Sequence, residues 1–175
     1  QKARMNAATM FALALLAGAF ISLGAIFATT VSAGTAGVLP FGVAKLLTGL
    51  VFCLGLILVV VGGAELFTGN NLIVMAWAGG KVSTRALLRN WFIVYVGNFV
   101  GALGTVLLVF LSKQYVFGSG AVGRAALTIA ASKVEYGFGQ AVALGILCNG
   151  LVCLAVWMTY SARTTTDKIL AIVFP

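Results

Sequence analysis

The chain has 175 residues, of which 62% are hydrophobic and 8% charged, with three acidic residues, no histidine and a net charge of +8. A mean hydropathy of +1.13 excludes a soluble globular core and a disordered chain, and places the sequence among integral membrane proteins. The positive charge is not a nucleic-acid signature, because the eleven Lys and Arg residues sit mainly at the ends of apolar runs, where orientation and interfacial anchoring put cations. Cys53, Cys148 and Cys153 lie inside apolar runs and read as small buried hydrophobes. Without histidine partners they make no metal-ligand spacing, so neither a metal nor a cofactor is expected.

Taken in chain order, a first apolar segment from about Met5 to Val31 follows Lys2 and Arg4, and it offers Ala7, Ala17, Gly18, Ser22 and Gly24 as small surfaces for a neighbouring backbone. It is long enough to span and carries no small-residue cleavage pattern, so it reads as a helix rather than a signal peptide. Ser32 to Gly37, leading to Pro40, is turn chemistry. Apolar residues then run from Val43 to Ala78, about 54 Å as one straight helix against a hydrocarbon core of ~30 Å.

That second segment must bend or break, and the break is written at Val59 to Asn71: Gly62-Gly63, the lone carboxylate Glu65, Thr68, and Gly69-Asn70-Asn71. The glycines supply helix-stop geometry and the asparagines N-cap chemistry, which predicts a new helix starting near Asn70 or Asn71. Its free N–H groups and positive dipole end would favour an anion. Irregular backbone at membrane depth is tolerated only beside protein or a water-filled cavity, so the segment is expected to line a pathway. Glu65 is either a pathway or proton-handling residue, or an acceptor for backbone N–H groups freed by the break. Thr68 could donate to a passing acceptor or cap the second half-helix. Phe52 and Leu56 before the break, with Leu66 and Phe67 beside it, could narrow the path or serve ordinary packing.

Gly79 to Arg85 closes this crossing with Lys81 and Arg85, and a third segment follows from about Ala86 to Leu111. Gly97 and Gly101, four apart, have the small-xxx-small spacing of close helix approach, in assembly or internal packing. Ser112 to about Tyr136 is a long connection with part of a surface helix. The fourth segment spans about Gly137 to Tyr160 and carries Asn149, which could face the pathway or bond across helices. In the polar turn Ser161 to Lys168, Thr166 or Asp167 is expected to cap a further helix beginning at Ile169. The amino terminus and the turns after segments 2 and 4 hold Lys2, Arg4, Lys81, Arg85, Arg89, Arg163 and Lys168, against Lys45, Lys113, Arg124 and Lys133 on the other side. The bias predicts a cytoplasmic amino terminus.

Gly63-Ala64-Glu65-Leu66-Phe67-Thr68-Gly69, Asn90-Trp91 with Tyr95-Val96-Gly97-Asn98 and Gly101-Ala102, and Asn149 through Trp157 with Tyr160-Ser161 and Asp167-Lys168 together resemble the formate/nitrite transporter family. The resemblance covers nearly the whole chain. It implies an all-α integral membrane protein with an aquaporin-like inverted repeat of six segments, the second and fifth broken, assembled as a homopentamer with one pore per subunit in the cytoplasmic membrane. It also implies a pore-facing Thr68, a vestibule lysine at Lys133 that attracts anions, and a pore asparagine at Asn149. Phe52, Leu56, Leu66, Phe67 and Val152 fall at or near two hydrophobic constrictions. Gly150 departs from the family, which often carries a larger apolar residue there. About four full spans and the start of a fifth are present, so residues 1–175 are expected to be one transmembrane domain that is incomplete, lacking the family's central histidine.

The function expected is passage of a small monovalent anion, formate first, then nitrite or hydrosulfide. A bare anion loses hydration in an apolar constriction, whereas its neutral conjugate acid avoids most of that cost, so transient protonation is expected, with Glu65, Gly63 and Gly69 shaping the loop rather than binding substrate. Two other classes compete: a neutral-solute aquaporin-like channel, whose Asn-Pro-Ala half-helix caps the sequence lacks, and a non-transporting assembly subunit, which leaves Glu65 and Thr68 unexplained. No nucleophile–base pair, metal cluster or phosphate-cradling loop suggests an enzyme.

Overall fold

The computed structural model describes residues 2–35 and 37–175, without the Arg4 side chain. After a 3-10 turn at Lys2–Arg4, the helices are α1 (Ala7–Thr35), α2 (Phe41–Val61), α3 (Phe67–Asn70), α4 (Ile73–Ala78), α5 (Thr84–Leu111), α6 (Phe117–Val134), α7 (Phe138–Met158) and α8 (Thr165–Val173), with a second 3-10 turn at Gln114–Val116. Among the described residues there is no strand. Four helices, α1, α2, α5 and α7, are long and apolar enough to cross a membrane.

The arrangement is organised by α1, whose buried residues Met10, Ala14, Ala17, Gly18, Gly24 and Ala28 recur at helical spacing. Small residues let backbones approach where lipid offers no hydrophobic drive for association. A Cβ on Gly24 would meet the Phe52 carbonyl and Gly55 N of α2 at 2.8 Å. On the α5 side, Gly18 lies against the Asn98 carbonyl, Gly101 against the Leu15 carbonyl, and a Cβ on Gly97 would sit 2.5 Å from Ala14 Cβ. The Gly97/Gly101 pair is therefore used internally, against α1. Most large side chains elsewhere on α5, such as Phe92, Phe99 and Leu107, are exposed, as expected of surfaces that meet lipid or another subunit rather than water.

Local chemistry moves three expected boundaries. The first helix continues through Thr35 instead of ending near Val31, and hydroxyls near its end donate to their own helix: Thr29 to the Ala25 carbonyl at 2.8 Å and Thr30 to that of Ile26 at 2.9 Å. Such back-bonding satisfies a hydroxyl without leaving the helix. The connection after α5 is largely helical, but Gly118, Ser119 and Gly120 adopt left-handed backbone, so regular α6 starts only beyond them. Helix α8 starts earlier than Ile169, and its cap is Thr164 rather than Thr166 or Asp167. Thr164 Oγ1 accepts from the Asp167 N–H at 3.1 Å, while Asp167 Oδ2 accepts from the Thr164 N–H at 3.0 Å, a reciprocal capping box.

Candidate functional site: the broken second segment

The chain leaves α2 at Gly62. Gly63 follows with φ +68°, a left-handed conformation that glycine adopts without a Cβ penalty, and the Ala64 N–H returns to the Val59 carbonyl at 2.9 Å, closing a Schellman-type stop. Helix first resumes at Phe67 in the four-residue α3, earlier than Asn70 or Asn71, and the short half-helix expected to follow those asparagines is α4, Ile73–Ala78. Leu66 stands at the N-cap position and offers no side-chain bond. The cap comes instead from another helix: Asn98 Oδ1 on α5 accepts from the Phe67 N–H at 2.8 Å, and Asn98 Nδ2 donates to the carbonyls of Glu65 at 2.9 Å and Ala14 at 2.7 Å. One amide thus ties both sides of the break to α1. The Phe67 N–H is already bonded, and the second half is divided into a four-residue α3 and a six-residue α4, so the N–H groups expected to favour an anion are split between two short helices.

Glu65 is 2% exposed. Its carboxylate does not collect backbone N–H groups; Oε2 accepts from Asn70 Nδ2 at 2.7 Å and Oε1 lies 3.0 Å from Lys2 Nζ. Lys2 also donates to Asn70 Oδ1 at 3.2 Å, and Asn70 Nδ2 reaches Asn90 Oδ1 at 3.1 Å. The Asn70 carbonyl accepts from Trp91 Nε1 at 3.2 Å. A buried charge is tolerable when paired and hydrogen-bonded, and here the amino-terminal turn, the break and α5 supply the partners together. Asn70, expected as a cap, is instead the centre of this cluster.

The remaining predicted residues fall into separate places. Leu56, Leu66 and Val152 pack in one apolar cluster with Val59 and Ala155, which joins α2, the break and α7. Phe67 turns toward α5, edge-on to Tyr95 at 5.3 Å and Trp91 at 6.3 Å between ring centres. Phe52 is exposed. Thr68 is half-buried, and its carbonyl accepts a weak bond from Cys153 Sγ at 3.4 Å. A Cβ on Gly69 would only touch Val156 at 3.4 Å, whereas one on Gly150 would meet open space. Lys133 is exposed in the last turn of α6, with Nζ 5.4 Å from the centre of the Tyr136 ring. Asn149 on α7 is half-buried, and its Oδ1 is the one buried side-chain oxygen or nitrogen, among the described residues, without a hydrogen-bond partner. Such orphans are uncommon and call for an explanation.

Sequence reasoning missed Lys2, Asn90 and Asn98 as parts of the site. A signal was present, since Asn90 lies on the buried α5 stripe Leu87, Asn90, Val94, Gly97, Gly101 and Thr105, a polar residue on a face otherwise built for close packing. Lys2 gave no such signal, because a cation before a first span is ordinarily an interfacial anchor.

A multi-pass bundle whose second segment breaks between glycines, with its loop held by buried amides, defines an integral membrane protein with a discontinuous second segment. Residues 1–175 match the formate/nitrite transporter family model, and the chain belongs to that family. It is 49% identical over 174 residues to the formate channel FocA of Escherichia coli strain K12, covering 99% of this chain and 61% of that protein. Among solved structures it is similar to a pentameric formate channel with formate bound, with TM-score 0.91 and 47% identity, over 97% of this chain and 66% of the other. It is also similar to an FNT family ion channel, with TM-score 0.85 and 28% identity, over 99% and 68%. The chain thus spans about three fifths of the length of the formate channels it matches.

Proposed function

We propose that this chain is the larger part of a channel subunit that conducts small monovalent anions, formate first, through a pore in each member of a homopentamer. The observation that carries the reading is its likeness, at 47% identity over 97% of its residues, to a channel solved with formate bound. Residues 1–175 form one transmembrane domain of the complete protein. The protein sits in the cytoplasmic membrane with its amino terminus in the cytoplasm, which the cation bias supports.

The chemistry at Asn149 supports the same mechanism. Its Oδ1 is a buried acceptor with no donor, and an unmet buried acceptor costs roughly 1–3 kcal/mol. Formic acid offers an O–H that this oxygen can accept, while the Asn149 Nδ2 donors can bond formate in either protonation state. Lys133 concentrates the anion at the far mouth. Thr68 bonds it at the break, and the apolar residues Phe52, Leu56, Leu66, Phe67 and Val152 exclude hydrated ions.

The test is formate and nitrite flux into proteoliposomes of the complete protein at two external pH values, beside Thr68→Val. Acid-stimulated, saturable flux that falls at least tenfold in the variant with the oligomer intact is expected. Equal flux in variant and parent removes Thr68 from the mechanism. Permeability to neutral solutes without anion flux replaces the reading with a neutral-solute channel.

A further inference from the structure

The break frees a carbonyl as well as N–H groups. In a continuing α-helix the Leu72 N–H would reach the Thr68 carbonyl four residues back, but it donates to that of Gly69 at 3.2 Å, which leaves the Thr68 oxygen without this bond. A backbone oxygen at membrane depth must find its donor within the protein. The donor here is the Cys153 thiol of α7, at 3.4 Å. It makes the one hydrogen bond from α7 to the break among the described residues. The rest of that seam is apolar, with Val152 and Ala155 clustered with Leu66 and Ala64, and Gly69 against Val156.

The direction of the thiol is not the default. A hydroxyl or thiol inside a helix can bond the carbonyl four residues before it, and Cys53 of α2 does so with Gly49 at 3.3 Å. For Cys153 that carbonyl belongs to Asn149, yet the thiol reaches across to Thr68. Asn149 and Cys153, four apart within α7, share one face of the helix. The opposite side of α3 is tied to α5, where Asn98 caps the Phe67 N–H at 2.8 Å and Trp91 donates to the Asn70 carbonyl at 3.2 Å. We infer that Cys153 is a positioning residue: its thiol latches the Thr68 carbonyl to α7 and so sets the Thr68 hydroxyl in register with the unpartnered Asn149 oxygen. Because a thiol is a weak donor, α3 is held less firmly on this side than on the α5 side. The role of the latch in transport rests on Thr68 being a pathway residue.

Two variants separate the bond from the space it fills, since Cys153→Ser keeps a donor and Cys153→Val keeps the bulk without one. In proteoliposomes of the complete protein, Cys153→Val should raise the half-saturating formate concentration about threefold to fivefold, on the scale of one weak hydrogen bond, with the oligomer intact and maximal flux little changed. Cys153→Ser should stay close to the parent. In Thr68→Val, which lacks the hydroxyl being positioned, adding Cys153→Val should change nothing further, because both effects run through one group. A direct signature is the infrared S–H stretch, which hydrogen bonding lowers: the parent minus Cys153→Val difference spectrum should show a band below that of a thiol in apolar solvent. Equal half-saturation in the parent and Cys153→Val while Thr68→Val is impaired, or a band at the free-thiol frequency, overturns the latch. Cys153→Ser as impaired as Cys153→Val overturns it as a packing effect, and additive losses in the double variant overturn the link to Thr68. A bonded S–H band in a protein that passes no formate, or whose Thr68→Val flux equals the parent's, keeps the bond and overturns the transport reading on which its role rests.

Discussion

Two of the irregular stretches of this chain, the break between α2 and α3 and the kink at the start of α6, are held in different ways. The break between α2 and α3 is fixed by side chains: Asn98 bonds three backbone groups, and buried Glu65, Asn70 and Asn90 form a cluster beneath it that the partly exposed Lys2 closes. The kink at the start of α6 is fixed by its own backbone, through left-handed Gly118, Ser119 and Gly120 and an exposed bond from Arg124 Nη1 to the Ser119 carbonyl at 3.1 Å. Water satisfies an irregular backbone at a surface. Within a membrane bundle the protein must supply every donor and acceptor itself, and that is why the inner break draws on residues up to 68 positions away.

The sharpest way to break this comparison is Asn98→Leu. It leaves the Phe67 N–H and the Glu65 and Ala14 carbonyls without their partner, at roughly 1–3 kcal/mol for each group that stays buried. A large drop in thermal midpoint of the purified complete protein is expected. Asn98→Asp, which keeps an acceptor for Phe67 but loses both donors, should fall between the two. A midpoint for Asn98→Leu within a degree of the parent would falsify the idea that the break is capped from α5.

Glu65→Leu comes next. It removes one of two acceptors from the Asn70 amide, which keeps Asn90, and from the Lys2 ammonium, which keeps Asn70 and is 47% exposed, so the expected cost is about 1 kcal/mol. Glu65→Gln, which still offers Asn70 an oxygen, should cost less in the same thermal assay; an equal loss in both variants would point to packing rather than hydrogen bonding. The glycine positions give a comparable pair of effects with opposite signs. Gly63→Ala should lose about 1–2 kcal/mol from its left-handed backbone, while Ser119→Gly, at φ +56°, should gain up to about 1 kcal/mol by relieving the same strain.

The smallest effect lies at Asp167. Hydrogen bonds from the Thr164 and Arg163 N–H groups hold its carboxyl below the ordinary value near 3.8, although the group is fully exposed. The folded form is therefore favoured by the charged state. This contribution is complete above the unfolded value and fades as pH falls through the lower folded one. Stability of the parent and Asp167→Asn should converge below about pH 4 and separate slightly above it, measured by thermal midpoint across pH 3 to 7.

Much of this was legible in the chain. Apolar run lengths determined the number of long helices, the Gly62-Gly63 pair marked where the second segment stops, and the motifs around Glu65, Asn90 and Asn149 pointed to the family. These are local properties: a span needs enough apolar residues to cross the core, and a left-handed stop needs glycine. Tertiary structure alone decided where helix resumes, because the cap at Phe67 comes from Asn98, 31 residues away. It also decided that Glu65 meets Lys2 and Asn70 rather than free backbone, and that Gly97 and Gly101 face α1. Each depends on which distant groups share one small volume, and a one-dimensional pattern of residue types holds no record of that.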